Sequence, residues 1–310
     1  VDRACRLTCS LNNDAGYNTE NIRINIYYNG GKMRKIILSV MVVVCLTVFC
    51  GCGTADNGTT STSPTNTYAS ELLVFAAGGT KTPMDAAATA FKEKYGTTIT
   101  INYGGGGEVL SNMVLSQQGD VFIAPEQRFM NKAKNQGAID SAYTPIVLAY
   151  MIPVIAVQEG NPLNIQSLAD LAKSGTKIAM GNPDTTLLGE VVPKILQNAG
   201  LYDSVNPNIV TSVPQVNAII TNLKTKQVDA GFVWHYFGVT AATDIDVIWI
   251  PAEYITGIGE IQAAVTTYSQ ESWTAGQFVN FLSSAEGQAI FEQNGYIVDR
   301  AEADTYWKGS

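Results

Sequence analysis

Short apolar runs alternate with amphipathic stretches along the chain from Glu71 onward. Residues 72–77 form an uninterrupted apolar run that ends at two glycines, as a buried strand does. Residues 98–103 alternate between apolar and polar side chains, which is the period of a half-buried strand. The same patterns predict further strands at residues 120–124, 151–157, 177–180, 230–234, 247–250 and 261–266.

Segments with the apolar spacing of helices separate these strands. In the first segment, Thr82 is placed to cap a helix, Pro83 suits its first position, and Asp85 completes a capping-box pattern. The alternation of strands with helices predicts an α/β fold with mostly parallel strands. Further helices are expected after Gly104–Gly107 and at residues 187–199, 214–226, 272–283 and 285–294.

Four predicted strand-to-helix loops carry glycines or capping residues. In open α/β sheets, ligands bind beyond the carboxyl ends of the strands, where helix N-termini present free N–H groups and partial positive charge. In a single loop of this kind, the glycines are explained by the need to turn the chain. Four such loops at matching positions favour a site in which the loops converge on a small anion. The loops span residues 77–80, 104–107, 184–189 and 212–215, and in the last one Ser212 and Gln215 resemble a capping box.

The segment before the predicted fold has the features of an export signal. Arg34 and Lys35 precede an apolar run of 15 residues over 36–50. This run is short for a membrane span of about 20 residues and typical of a signal peptide. The following Gly51-Cys52 resembles a lipobox, which implies cleavage before Cys52 and a lipid on its thiol. The alternatives are an ordinary signal peptide and an uncleaved anchor.

These features divide the N-terminal part into three segments. Residues 33–51 are the expected lipoprotein signal peptide, with Met33 as the natural start and residues 1–32 as a mis-called leader. Residues 52–70 are rich in Thr and Ser and nearly free of apolar side chains, so we expect a flexible tether.

Composition excludes several classes of function. All five cysteines lie within the first 52 residues, so the predicted fold contains no disulfide, thiolate metal site or cysteine nucleophile. His235 is the only histidine, which excludes a two-histidine site within one chain. The net charge of −8 and the lack of a Lys/Arg-rich run argue against nucleic acid as a partner. Neither a nucleophile elbow nor a P-loop ending is present, so we expect no enzyme.

Several segments, taken in chain order, resemble the periplasmic molybdate-binding proteins. Residues 119–130 (GDVFIAPEQRFM) resemble that family's most recognisable stretch, and residues 72–77 with Met84 resemble its opening strand and helix. The similarity covers about residues 72–297. Its other segments are 181–183 with 188–189, then 228–234, and finally 278–296.

The resemblance implies a two-lobed type II periplasmic-binding-protein-like fold. Each lobe would be a mostly parallel sheet flanked by helices, and two crossing strands would form the hinge. It also implies the substrate-binding component of an ABC importer, which the lipobox-like Gly51-Cys52 would anchor as a lipoprotein to the outer face of the cytoplasmic membrane. Such a protein passes a small oxyanion, here molybdate or tungstate, to permease subunits and needs no cofactor. Lobe 1 would comprise residues 71–147 and 252–300, lobe 2 residues 148–251, and the C-terminal tail residues 301–310.

The site residues that the resemblance implies depart from the family at two positions. Serine hydroxyls that the family uses in the first two loops align with Gly79 and Gly106, which leaves only backbone N–H groups there. The hinge-side tyrosine aligns with Trp234, and Tyr236 or His235 is a candidate for the missing donor. The expected ligand-binding residues are Gly78, Gly79, Thr80, Gly105, Gly106, Gly107, Thr186, Leu188, Val216, Trp234 and Tyr236.

Two other functions stay open at this point. Relatives of this fold capture ferric iron, and hard oxygen ligands with one histidine suit that cation. A surface module without a small ligand is the other alternative. Glu108, beside the glycine loop, would either repel an anion or stabilise the start of the helix. The candidate iron ligands are Tyr103, Glu108, His235 and Tyr236.

Overall fold

The computed structural model describes residues 67–308, and within this range ten strands form two five-stranded sheets. The predicted leader, signal peptide, lipidation site Cys52 and most of the tether lie outside the described residues. The strands are β1 Glu71–Ala77, β2 Thr98–Gly104, β3 Val121–Ala124, β4 Ile146–Met151, β5 Pro153–Gln158, β6 Ile178–Gly181, β7 Ile209–Val213, β8 Ala230–Trp234, β9 Ile245–Trp249 and β10 Gly259–Val265.

Both sheets have the same kind of strand order. The first sheet runs β2-β1-β3-β10-β4 and the second runs β7-β6-β8-β5-β9. In each sheet the fourth strand is antiparallel to its neighbours, so the other four point in one direction. The expected two-lobed α/β architecture is thereby confirmed, with one reversed strand in each mostly parallel sheet.

Helices cover both sheets and connect their strands. Short 3-10 turns occur at Gly78–Thr80, Leu168–Ala172 and Asn206–Asn208. The α-helices of the described part are α1 Lys81–Tyr95, α2 Gly106–Ser116, α3 Gln127–Asn135, α4 Leu187–Asn198, α5 Tyr202–Val205, α6 Asn217–Lys224, α7 Phe237–Thr240, α8 Ser272–Leu282, α9 Ala285–Gln293 and α10 Arg300–Ala303.

The hydrophobic core is centred on the strands whose side chains are apolar on both faces of the sheet. Every residue of β3 is buried, and all of β8 is buried as well. On one face of the first sheet, Phe91 packs edge-on against Phe278 with ring centroids 5.0 Å apart. A smaller cluster with Phe122 fills the opposite face. Packed side chains cover both faces of each central strand. The strands are therefore fixed and hold the loops at their ends in place.

The chain passes between the sheets at two places. Ile152 alone joins β4 to β5, and residues 250–258 join β9 to β10. His235 fixes the first passage through two hydrogen bonds, because its backbone N–H donates to the Ile152 carbonyl (2.9 Å) and its Nδ1 accepts from the Ile152 N–H (3.0 Å). The lobe boundaries given above stay a prediction, but these two passages are where a hinge motion can occur.

Several local expectations were wrong. Thr82 does not cap α1, because the helix already begins at Lys81 and is preceded by the Gly78–Thr80 turn. Asp85 pairs instead with Lys81 at 2.7 Å. Ser212 lies inside β7 and does not cap a helix. The strand expected at residues 151–157 begins only at Pro153, as β5, and β4, which ends at Met151, was not expected.

The end of the predicted tether is packed against the first lobe. Tyr68 stacks on Tyr95, with ring centroids 4.7 Å apart, and also lies beside Trp273. The backbone N–H of Ala69 donates to the Thr274 hydroxyl at 3.0 Å. The ordered fold therefore begins a few residues before β1.

Candidate functional site

A cavity of about 300 Å³ lies between the two lobes. Its walls are the loops that follow β1, β2 and β3 of the first sheet and those that follow β6, β7 and β8 of the second. The site therefore lies at the carboxyl ends of the strands, where ligands bind in open α/β sheets. It is lined by Ala77, Gly78, Gly79, Thr80, Tyr103, Gly104, Gly105, Gly106, Glu108, Pro125, Glu126, Phe129, Met151, Thr185, Thr186, Pro214, Gln215, Val216, Asn217, Trp234, Tyr236, Ile261 and Tyr296.

The structure brings most of the sequence-predicted residues to this cavity. Gly107 and Leu188 are the exceptions. The Leu188 side chain is fully buried in the hydrophobic core, because the first turn of α4 directs it toward the sheet. The predicted residues in the cavity wall are Gly78, Gly79, Thr80, Gly105, Gly106, Thr186, Val216, Trp234 and Tyr236.

The two glycines that stand where the resemblance implies serines lie against bulky neighbours. A Cβ atom on Gly79 would lie 2.9 Å from the hydroxyl oxygen of Tyr236. A Cβ atom on Gly106 would lie 2.7 Å from both Phe129 and Pro125. Contacts this short require a neighbour to move, so a serine fits neither position in the present arrangement. At Gly79, the space that a serine side chain would use is occupied by the Tyr236 hydroxyl.

Tyr236 is held rigidly in this position. Its ring stacks on Tyr296 at a centroid distance of 4.4 Å, and Tyr296 donates a hydrogen bond from its hydroxyl to the Gly79 carbonyl at 2.7 Å. Burial raises the pKa of Tyr236 above its usual value. The phenol therefore stays protonated at neutral pH and is available as a hydrogen-bond donor.

Glu108 has a structural role at the start of α2. Its Oε2 accepts a hydrogen bond from the Gly105 N–H at 3.1 Å, so the carboxylate satisfies one of the free donors of the helix N-terminus. Across the cavity, Gln215 Nε2 would lie 3.4 Å from a Cβ on Gly105. Of the two readings of Glu108, the contact favours stabilisation of the helix start.

The first turn of α4 is capped from two sides. Thr186 accepts a hydrogen bond from the Gly189 N–H through its hydroxyl at 3.0 Å, which is the usual N-cap arrangement. The Leu187 N–H donates to Glu126 Oε1 at 3.1 Å. Burial is the main cause of the raised pKa of Glu126. The positive charge of the adjacent Arg128 acts in the opposite direction and lowers this pKa.

The donors around the cavity are neutral. Within residues 67–308, no Lys or Arg side chain lines it. An anion bound here would be held by backbone N–H groups, helix dipoles and hydroxyl groups rather than by a formal positive charge.

The four candidate iron ligands do not meet. Tyr103, Glu108 and Tyr236 line the cavity, whereas His235 is buried outside the cavity wall and is engaged with Ile152. Burial lowers the pKa of His235 to about 4, so its imidazole is neutral at neutral pH. Tyr103 donates its hydroxyl proton to Asp85 at 2.7 Å. Among the described residues, no group of three or more His, Cys, Asp and Glu is arranged to hold a metal.

Sequence reasoning did not select Glu126, Phe129, Gln215 and Tyr296 as site residues. Glu126 and Phe129 lie in the stretch 119–130 that was singled out, and Gln215 lies in the loop 212–215. Tyr296 is brought to the cavity by a contact with Gly79 that spans 217 positions of the chain. Only its place in the closing segment 278–296 could have drawn attention to it.

The profile of one protein family, described as bacterial extracellular solute-binding protein, matches residues 72–297. The chain belongs to this family. The match covers nearly all of both sheets, so the two-lobed fold is that of a solute-binding transport protein. None of the helices in residues 67–308 has the length and apolar character needed to cross a lipid bilayer.

Individual relatives and solved structures that resemble this chain are also solute-binding proteins. The molybdate-binding protein ModA of Mycobacterium tuberculosis is 26% identical over 268 residues, which are 85% of this chain and 99% of the relative. The structure of the periplasmic molybdate-binding protein of Azotobacter vinelandii superposes with a TM-score of 0.64 at 24% identity, covering 74% of this chain and 100% of that one. The expected resemblance to molybdate-binding proteins is confirmed.

The fold alone does not fix the ligand. The iron-bound protein HitA of Pseudomonas aeruginosa superposes with a TM-score of 0.60 at 18% identity, covering 74% of this chain and 87% of that one. At this level of identity the likeness concerns the fold only. The ligand must therefore be argued from the residues of the cavity.

Proposed function

We propose that this solute-binding protein captures a tetrahedral oxyanion, molybdate or tungstate, in the cavity between its lobes and delivers it to an ABC importer. The observation that carries the proposal is the position of the Tyr236 hydroxyl, which occupies the place of the missing side chain at Gly79. The relatives named as molybdate-binding proteins support the same ligand class.

Backbone N–H groups at the N-terminal ends of one 3-10 turn and two α-helices are the hydrogen-bond donors in this proposal. The Gly78–Thr80 turn, the start of α2 at Gly106 and the loop 214–217 at the start of α6 all line the cavity. The first N–H groups of a helix have no partner within the helix. They can therefore bind the oxygens of a dianion without a counter-charge.

Tyr236 is the side-chain donor. A hydrogen bond between a neutral donor and a charged acceptor contributes about 1.5–3 kcal/mol. Tyr236→Phe should therefore weaken oxyanion binding by about 10- to 150-fold. Gly79→Ser in the Tyr236→Phe background should recover part of the loss, because the serine then has room and brings its own hydroxyl.

Calorimetric titration with molybdate, tungstate, sulfate and phosphate tests the proposal. The wild-type chain should bind molybdate or tungstate and discriminate against sulfate. Tyr202→Phe, on α5 and outside the cavity wall, is the matched control and should leave the affinity unchanged. Equal binding by wild type and Tyr236→Phe would contradict the role of the hydroxyl. Absence of binding to all four anions would contradict the ligand class.

The ferric-iron alternative has weaker support. Tyr103 is already bonded to Asp85, Glu108 to the Gly105 N–H, and His235 lies outside the cavity wall. A titration with ferric citrate in the same series decides between the two ligands. Binding of iron without binding of molybdate would overturn the oxyanion proposal and direct mutagenesis to Tyr103 and Tyr236.

We further propose that Cys52 is lipidated and that the tether up to about residue 66 connects the fold to the outer face of the membrane. The support is the Gly51-Cys52 pair after an apolar run. In cells fed a labelled fatty acid, wild-type protein should be labelled and membrane-bound, whereas Cys52→Ser should be unlabelled. Labelling of Cys52→Ser to the wild-type level would refute this anchor.

A further inference from the structure

A polar contact joins the two lobes beside the ligand cavity. Glu126 and Arg128 belong to the first lobe, at the junction between β3 and α3. Leu187 and Glu190 belong to the second lobe, in the first turn of α4. Because α3 packs on the first sheet and α4 on the second, any contact between these residues spans the cleft.

The contact is a chain of charge-assisted hydrogen bonds. Glu126 Oε1 accepts from the Leu187 N–H at 3.1 Å, and Glu126 Oε2 accepts from Arg128 Nε at 2.8 Å. Arg128 Nη1 then donates to Glu190 Oε1. We call Glu126, Arg128, Leu187 and Glu190 the clasp.

The Glu126 and Arg128 side chains are more buried than those of an ordinary surface ion pair, whereas the Glu190 side chain is 41% exposed. The Glu126 side chain is 8% exposed and that of Arg128 is 27% exposed. A partly desolvated pair is less screened by water than a fully exposed one. Glu126 also places a negative charge at the N-terminus of α4, where the helix dipole favours it.

The clasp is also joined to the walls of the cavity. Pro125, Glu126 and Phe129 line the cavity from the first lobe. Arg128 lies over the Phe129 ring at 4.8 Å. Thr185 and Thr186, immediately before Leu187, line it from the second lobe. The same contact therefore holds both walls at their present separation.

From this geometry we infer that Glu126, Arg128 and Glu190 are positioning residues that keep the lobes closed over the ligand and slow its release. The inference rests on the proposed binding of an oxyanion in the cavity. The residues act through the closed arrangement of the lobes, so they should change the dissociation rate and leave the association rate nearly unchanged.

The primary test is Glu190→Gln in the full chain, which removes the charge from the second lobe and leaves the Glu126–Arg128 pair intact. Release of molybdate is followed by stopped-flow fluorescence, with Trp234 in the cavity wall as the reporter. The dissociation rate should rise about 3- to 5-fold, as expected for a partly exposed ion pair. The association rate should stay within about twofold of wild type, because Glu190 does not line the cavity and substitutions in one interface mostly change dissociation.

Glu286→Gln is the matched control. It breaks the Lys94–Glu286 pair of 2.7 Å, which joins α1 to α9 within the first lobe and does not span the cleft. Its dissociation rate should equal that of wild type. An unchanged dissociation rate in Glu190→Gln, or an equal rise in Glu286→Gln, would overturn the inference.

Hydrogen–deuterium exchange gives a test that needs no ligand. Glu126→Ala removes the acceptor of the Leu187 N–H, so exchange over residues 184–190 should rise about 10-fold while Glu286→Gln leaves it unchanged. Unchanged exchange in Glu126→Ala would overturn the clasp even if molybdate binds. If wild type binds no oxyanion but the exchange result holds, the proposed ligand fails and the clasp stands as a contact between the lobes.

Discussion

His235 should make the stability of this protein depend on pH in the mildly acidic range. The imidazole is buried, and its Nδ1 accepts the Ile152 N–H at the single-residue passage between the sheets. A protonated Nδ1 cannot accept that bond. Burial lowers the pKa of His235 in the folded protein to about 4, against a usual value of 6.5.

The sign and size of the effect follow from these two values. Between pH 6.5 and pH 4 the unfolded chain holds more protons on His235 than the folded chain does, so stability rises with pH in this window. Each pKa unit corresponds to 1.36 kcal/mol. The folded protein should therefore lose about 3 kcal/mol of its unfolding free energy as the pH falls from 7 to 4 through this residue alone.

Urea unfolding of wild type and His235→Asn, followed by circular dichroism at pH 7, 6, 5 and 4, measures this contribution. Asn offers a non-titrating oxygen near the position of Nδ1, so the Ile152 N–H keeps an acceptor. Carboxyl groups titrate in both proteins and cancel in the difference. Since His235 is the only histidine, the difference isolates one group. A wild-type loss no larger than that of His235→Asn between pH 7 and 4 would refute the reasoning.

Two further substitutions test the cavity walls. Gly106→Ser should lower the unfolding free energy by about 1–3 kcal/mol, because its Cβ would approach Phe129 and Pro125 to 2.7 Å; a urea midpoint equal to wild type would contradict the crowding. Thr186→Ala should cost about 1 kcal/mol through loss of the α4 cap to Gly189, and an unchanged thermal midpoint would mean that the cap contributes nothing.

The regular elements could be predicted where the apolar pattern was continuous. β1, β2 and β8 lie within a residue or two of the expected limits, because each has an uninterrupted or strictly alternating pattern. β7 was missed, since its exposed Val210 and partly exposed neighbours give little apolar signal. The division of residues 146–158 into two strands was also missed, although Pro153, directly after Ile152, is typical of the first residue of a strand.

The candidate site also has a part that could be predicted from the sequence and a part that could not. Its loops were predicted from glycines and strand ends, which are local features. The contacts that complete it are not local: Glu126 reaches Leu187 over 61 positions, and Tyr296 reaches Gly79 over 217 positions. Sequence spacing carries no information about such contacts, so the role of Tyr236 could be suggested but its place beside Gly79 could not be derived.

The passage at Ile152 limits the kinds of motion that this molecule can perform. One residue spans at most about 3.6 Å, so the adjoining ends of β4 and β5 cannot be pulled apart and the lobes must pivot about a nearly fixed point. When the lobes rotate about this pivot, loops far from it travel much farther than loops beside it. Trp234, directly before His235, lies beside this point and should move little when the lobes pivot. Parts of the lobes far from Ile152 should therefore differ most in position between the ligand-free and the occupied protein.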